Sequence, residues 1–217
     1  MSTRRRTTSA EARARILASA AELIEERGAA SLSVTEVMRH ARITRSTFYR
    51  QFADLYAVIA EILTLISREI LSESGAWMTD PDAVGHPGVI HQNLLTNARA
   101  YARHGPLLRA LADTAAGNER IWSIYRHEVL QSVMDATARA IARDQAAGVV
   151  RPSLDAVATA RALTLMDERM SYDLLGRPGD GSPEEYARIL TPIWTATLFG
   201  VPPGPAKEDE THRGSRG

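Results

Sequence analysis

Ser33 to Phe52 reads SVTEVMRHARITRSTFYRQF, and the fold is decided in this stretch. Ser33 is an N-cap residue, and Glu36 three positions on completes a capping box in which each side chain satisfies a backbone N–H of the first turn. Val34, Val37, Met38 and Ala41 then fall on one helical face. Arg42 and Ile43 make a turn, and Thr44 caps a second helix through Arg45, Ser46, Thr47, Phe48, Tyr49 and Arg50. Little of that second helix suits a core. It carries arginines, hydroxyls and a phenol, groups that donate to phosphate oxygens and base edges. Two short helices joined by a tight turn predict a helix-turn-helix, whose second helix lies in the DNA major groove.

The flanks support this reading. Ala10 to Arg27 carries Ile16, Leu17, Ala20, Leu23 and Ile24 on one stripe and stops at Gly28. Arg13 and Arg15 lie near the start of this helix, where cations oppose the helix dipole, a cost that phosphate contacts would offset. Phe48 and Phe52, at i and i+4, are placed to anchor the recognition helix on the small core.

The 217 residues contain equal numbers of acidic and basic side chains, yet the charge is not spread evenly. Residues 1–53 hold ten Arg against five Glu, and the remainder carries the opposite excess. A basic module on an acidic body suits DNA binding, since phosphate neutralisation supplies much of the affinity. Cysteine is absent, which excludes disulfides and thiol chemistry and makes the cytoplasm the expected address. No apolar run is long enough for a membrane span, and the Arg-rich start lacks the apolar segment of a secretory signal. The six histidines, His40, His86, His91, His104, His127 and His212, are scattered without metal-binding spacing, so no metal or cofactor is expected. No catalytic constellation is present either. Asp167 and Glu168 are adjacent in sequence and do not share a helix face.

The sequence predicts an all-α protein of about nine helices: a three-helix helix-turn-helix head and a C-terminal helical bundle. Residues 1–9 read as a flexible basic arm, 10–53 as the DNA-binding head, 54–200 as the body and 201–217 as a disordered tail. A long helix is expected over 54–74, then a Gly- and Pro-rich loop over 75–88. Helices near 89–104, 106–115 and 118–146 follow, broken by Gly105-Pro106 and by 116–118. A helix announced by Ser153 runs to Leu175, and Ser182-Pro183-Glu184-Glu185 opens the last one with an N-cap, Pro at N1 and a capping box. That last helix repeats Tyr186, Ile189, Leu190, Ile193, Trp194, Thr197 and Leu198 at helical spacing, interrupted by Pro192, which should kink it or free a carbonyl. Asn97, Tyr101, Trp122, Tyr125, Asp167 and Trp194 are large or polar groups expected to face inward, where bundles hold small molecules.

The chain resembles the TetR family of one-component transcriptional regulators over residues 10–60. The resemblance is carried by a first helix ending in E-R-G, the S-V-x-x-V second helix and I-T-R-S-T-F-Y-R-Q-F. It implies contacts to double-stranded operator DNA from Arg13, Arg15, Ser33, Thr44, Arg45, Ser46, Thr47, Tyr49 and Arg50, the last two on phosphate. It also implies a homodimer through the helices at 153–175 and 183–200, with no membrane partner. Two positions depart from the pattern: Arg42 stands where the turn usually holds glycine, and Leu55 where a lysine usually meets phosphate. L-T-L-M-D-E-R-M at 163–170 and I-W-T-A-T-L-F-G at 193–200 look like the ethionamide-resistance-type repressors of this family. That closer resemblance implies a ligand tunnel for a small-molecule effector. Ile90, Leu94, Asn97, Tyr101, Trp122, Val129, Thr164, Asp167, Glu168 and Trp194 would line it, with Arg126 making it more polar. A ligand-responsive repressor is the function implied. The alternatives are an activator with the same head, a helical ligand-binding protein, and an enzyme built on Asp167 and Glu168.

Overall fold

A complete capping box starts the first helix. The Thr8 hydroxyl accepts from the Glu11 N–H, while the Thr8 N–H donates to Glu11 Oε2 at 2.8 Å. This computed structural model describes residues 8–200. The predicted tail at 201–217 lies outside the described residues, as does the predicted arm except for Thr8 and Ser9, which belong to this first helix. From there α1 (Ser9–Arg27) buries Ala12, Ile16, Ala20, Leu23 and Ile24, and Gly28 ends it at a φ of 78°.

After a 3-10 turn at Ala29–Ser31 come α2 (Val34–Ala41) and α3 (Arg45–Gln51), both packed on α1. Ser33 caps α2 by accepting from the Glu36 N–H. The reciprocal half of the expected box is not made, because the Glu36 carboxylate takes the Ser33 hydroxyl at 2.8 Å and faces Arg27 at 3.6 Å. Arg42 keeps the left-handed backbone that glycine normally supplies, with φ 52° and ψ 50°. The Ile43 N–H, donating to the Met38 carbonyl at 3.0 Å, and the Ile43 side chain against the core hold it there.

Asp54 caps α4 (Leu55–Glu73), a mainly apolar helix that joins head to body and buries Val58, Ile59, Ile62, Leu63, Ile66 and Ile70. The stretch predicted as a loop at 75–88 holds the single turn α5 (Ala76–Thr79) and the start of α6 (Pro87–Ala115). Buried Asp144 pins this segment: Oδ2 accepts from the Trp77 indole at 2.6 Å and from the Gly85 N–H at 2.9 Å.

α6 is the spine of the body, touching α1, α4, α5, α7, α9 and α10. It passes straight through Gly105-Pro106, where a break was expected. An interior proline costs about 3 kcal/mol. The turn beyond it buries Leu107, Leu108 and Leu111, worth roughly 1.5–3 kcal/mol each, so continuing the helix wins. Gly105 also lets α9 approach closely, since a Cβ there would overlap the Leu175 carbonyl oxygen.

The helix expected over 118–146 is helical throughout but not uniformly α. Asn118 caps α7 (Glu119–Tyr125), a π-helical segment covers Arg126–Gln131, and α8 (Ser132–Ala146) completes it. α9 (Ala156–Leu175) starts at the Asp155 cap rather than at Ser153. Ser182 caps α10 (Pro183–Phe199), which continues through Pro192 although the proline leaves the Arg188 carbonyl without its helical donor. The fold is all-α, with nine helices and the single turn α5 among the described residues. No helix among these residues is long and apolar enough to cross a membrane.

Replacing Arg42 by glycine removes the Cβ from a left-handed position and should stabilise the protein by about 0.5–1 kcal/mol, the relief exceeding glycine's entropic cost. Urea unfolding at equilibrium checks this, and an unchanged or lower midpoint would contradict the strain at this turn.

Candidate DNA-contacting face and effector cleft

α3 has only seven residues, and its orientation is set from below. Phe48 is fully buried, with Phe52 and Tyr49 against it at ring-centroid distances of 6.3 and 5.4 Å. With Phe48 inward, helical geometry turns the other side chains outward. Thr44 accepts from the Thr47 N–H and its hydroxyl lies 3.0 and 2.9 Å from those of Ser46 and Thr47. Arg45 leans over Tyr49, reaching its hydroxyl at 3.4 Å, and Tyr49 stays 45% exposed. Arg50 is exposed at the far end. Six of the predicted DNA-contacting residues thus form one contiguous polar face.

The other three are placed differently. Arg15 is exposed on α1. Ser33 is engaged in the α2 cap. Arg13, expected on phosphate, is turned inward as a clamp. It pairs with Glu61 on α4, donates to the Gln51 carbonyl at 3.0 Å, and lies 4.4 Å over the Phe52 ring. It ties the C-terminal end of α3 to α1 and α4. The i+48 distance to Glu61 left no local pattern by which the sequence could reveal this.

The residues expected to line a tunnel divide into three groups. Ile90, Leu94, Tyr101, Val129, Thr164 and Trp194 are buried as core, where Trp194 meets Trp77 edge to face at 5.9 Å. Asn97 and Asp167 are polar groups tied to core neighbours. Asn97 accepts from the Ser74 hydroxyl at 2.8 Å, and Asp167 accepts from the Trp194 indole at 2.9 Å. Burial pushes the Asp167 carboxyl up to about 8, opposed by the hydrogen bonds from Trp194 and Tyr186. Trp122, Arg126 and Glu168 face open space.

A cleft of about 770 Å³ opens where the end of α6 meets α7 and α9. Of the predicted residues it takes Trp122, Tyr125 and Glu168; Asp113, Glu119, Arg169 and Tyr172 on its walls were not anticipated. Asp113 and Glu119 at helix ends and Arg169 and Tyr172 on α9 look like ordinary surface positions in a sequence, so no signal marked them. Glu168 is held at 3.2 Å by the Tyr125 hydroxyl, and burial raises its carboxyl above the usual range. A smaller cleft of about 310 Å³ runs from Trp122 and Arg126 to Val157, Arg161 and Leu165.

The first turn of α7 links the larger cleft to the head. Asn118, Glu119 and Trp122 line the cleft, while Arg120 beside them donates to Asp54 Oδ2 at 2.9 Å and covers the Tyr56 ring at 3.9 Å. Asp54 caps α4 two residues after the hydrophobic anchor Phe52. Its carboxyl is held below the usual range chiefly by the Ala57 N–H, with help from Arg120. The π segment makes a second link, its Glu128 accepting from the Thr64 hydroxyl of α4 at 2.7 Å.

A short helix-turn-helix on a helical body defines a class of DNA-binding transcription regulators, and sequence comparison narrows it. Residues 16–62 match the bacterial regulatory proteins of the tetR family, and residues 90–200 match the C-terminal domain of the transcriptional regulator EthR. The chain belongs to the TetR family. It is 31% identical over 199 residues to the HTH-type transcriptional regulator EthR of Mycolicibacterium smegmatis, covering 88% of this chain and 87% of that one. Among solved structures, a TetR-family regulator from Syntrophomonas wolfei superposes with a TM-score of 0.74 at 15% identity, covering 87% and 95% of the two chains. Thermus thermophilus FadR, a TetR-family transcriptional repressor in complex with lauroyl-CoA, superposes at 0.61 with 18% identity, covering 90% and 100%. These relatives are transcriptional regulators, and the protein is a regulator rather than an enzyme.

Because the Asp167 carboxyl binds its proton more tightly in the folded protein than in the unfolded chain, its contribution is full below pH ~4 and fades as pH rises through about 8. Asp167→Asn should therefore raise the melting temperature most at pH 8–9 and least near pH ~4. A pH-independent effect in thermal scans would refute the buried-acid assignment.

Proposed function

We propose that this TetR-family regulator is a homodimeric repressor that leaves a palindromic operator in the cytoplasm when a small effector binds its body. The observation that carries the reading is the polar face of α3, held outward by buried Phe48. Thr44, Arg45, Ser46 and Thr47 are assigned to base edges, with Tyr49 and Arg50 on phosphate. Arg15 remains available for the backbone, whereas Arg13 positions α3 instead.

Dimerisation is supported by exposed apolar side chains on the last two helices. Val157 and Leu165 on α9 are 70% and 40% exposed, and Ile193 on α10 is 43% exposed. Pairing these helices with their copies would cover such side chains and set two recognition helices about one DNA turn apart, ~34–36 Å. FadR, of the same fold, was solved with a ligand. In the present chain an effector in the α7 cleft would act on α4 through Arg120 and Glu128. It would favour release only as far as it binds the DNA-free arrangement more tightly.

Binding of the purified protein to its own upstream DNA, followed by fluorescence anisotropy, tests the reading. Arg45→Ala should relax specificity, losing ~1–3 kcal/mol on operator and much less on random DNA if bidentate to a guanine, while Tyr49→Phe should weaken both alike. Equal losses for Arg45→Ala would refute its base-reading role. Leu165→Asp should convert the dimer to monomer in analytical ultracentrifugation at micromolar concentration and abolish operator binding. An unaltered dimer would move the interface elsewhere.

A further inference from the structure

The cleft between α6, α7 and α9 is unlike a site for a neutral or anionic effector. Its walls carry the carboxylates of Asp113, Glu119 and Glu168 against the single guanidinium of Arg169. Arg169 is already engaged, donating to Asp173 at 3.0 Å and lying 4.5 Å over the Tyr172 ring. Asp113 accepts from the Tyr172 hydroxyl. Glu168, by contrast, has a neutral donor, Tyr125, and no cation paired with it among the described residues. Glu168 is half-buried, and its nearest cation, Arg169, is bonded to Asp173 instead, so burial raises its proton affinity more than Arg169 lowers it.

Two further features point to a ligand. Trp122 presents an indole that is 43% exposed on the cleft wall, an apolar ring with a negative face. Tyr101, itself buried, leaves its hydroxyl without a well-aligned hydrogen-bond partner beside Tyr125 and Glu168. Tyr125 and Glu168 line the same cleft. Glu168, which lines the cleft and has no salt bridge, is the group in this cluster that suits an incoming charged hydrogen-bond donor. The space, about 770 Å³, is within the range that encloses drug-sized molecules.

We propose that this cleft binds an organic cation, an amphiphile whose ammonium or amidinium group sits on Glu168 while its apolar part lies over Trp122. The claim deepens the effector-responsive reading and depends on it only for the consequence at DNA. The charged head supplies the missing counter-charge, and the indole supplies apolar area and cation–π attraction. Arg120, one residue before Ile121 and two before Trp122, would carry the change to Asp54 and α4.

Three probes with one aromatic tail separate the charge from the apolar contact: 4-phenylbutylamine, 4-phenylbutan-1-ol and 4-phenylbutyrate, titrated into the full-length protein by calorimetry. The amine should bind about tenfold more tightly than the alcohol, and the carboxylate most weakly. In Glu168→Gln the amine should fall to the level of the alcohol. Trp122→Leu should weaken amine and alcohol together, the signature of a shared apolar seat. Equal affinity for the three probes, an amine preference that survives Glu168→Gln, or no amine binding at millimolar concentration would overturn the proposal. Operator anisotropy on the same preparation keeps the two claims apart. Protein that grips its operator and is released by the alcohol or carboxylate but not by the amine sinks the cation assignment alone. Protein indifferent to operator DNA sinks the regulator reading, and the calorimetric ranking still decides the ligand class.

Discussion

The burial of Phe48 is the constraint on which this protein turns. A seven-residue helix has no independent stability in water, because nucleation costs more than so few hydrogen bonds return. α3 exists because Phe48 is inserted among α1 and the neighbouring aromatic rings. The same insertion dictates which residues are left outside. Arg45, Tyr49 and Arg50 are exposed as a consequence of where Phe48 points, so the stability of α3 and the make-up of its outward face are set by one side chain.

Arg13 belongs to the same logic. Its pairing with Glu61 and the Gln51 carbonyl fixes the end of α3 against the helix that leads into the body. Together with Arg120 on the Asp54 cap, it places charged contacts at both sides of the α3–α4 junction. The junction is therefore braced on both sides, and α7, which carries Arg120, also lines the cleft. In the proposed effector response, a shift of α7 would reach the recognition helix through few intermediates, as coupling between two distinct sites requires.

The body departs from the expected tunnel for a physical reason. Trp194 and Asp167 satisfy each other, Trp77 fills the space beside them, and Asp144 holds Trp77 in turn. These contacts turn predicted lining into packed core. The open volume lies instead toward α7, where three carboxylates and an indole meet. Membership in a family thus fixed the architecture while the chain's own side chains relocated and recharged the available space.

Local chemistry determined what the sequence could announce by itself. The caps at Ser33, Thr44 and Ser182, the apolar stripe of α1 and the paired phenylalanines are all read over a few residues, because helix caps and periodicity act within one or two turns. They sufficed for the all-α class, the helix-turn-helix and the outward face of α3. Tertiary packing decided the rest. It carried α6 through Pro106 by burying three leucines beyond it, drew Arg13 away from the DNA face to Glu61, and set Glu168 against Tyr125. Each of those outcomes depends on partners tens of residues away, and no local pattern encodes a distance that only folding brings about.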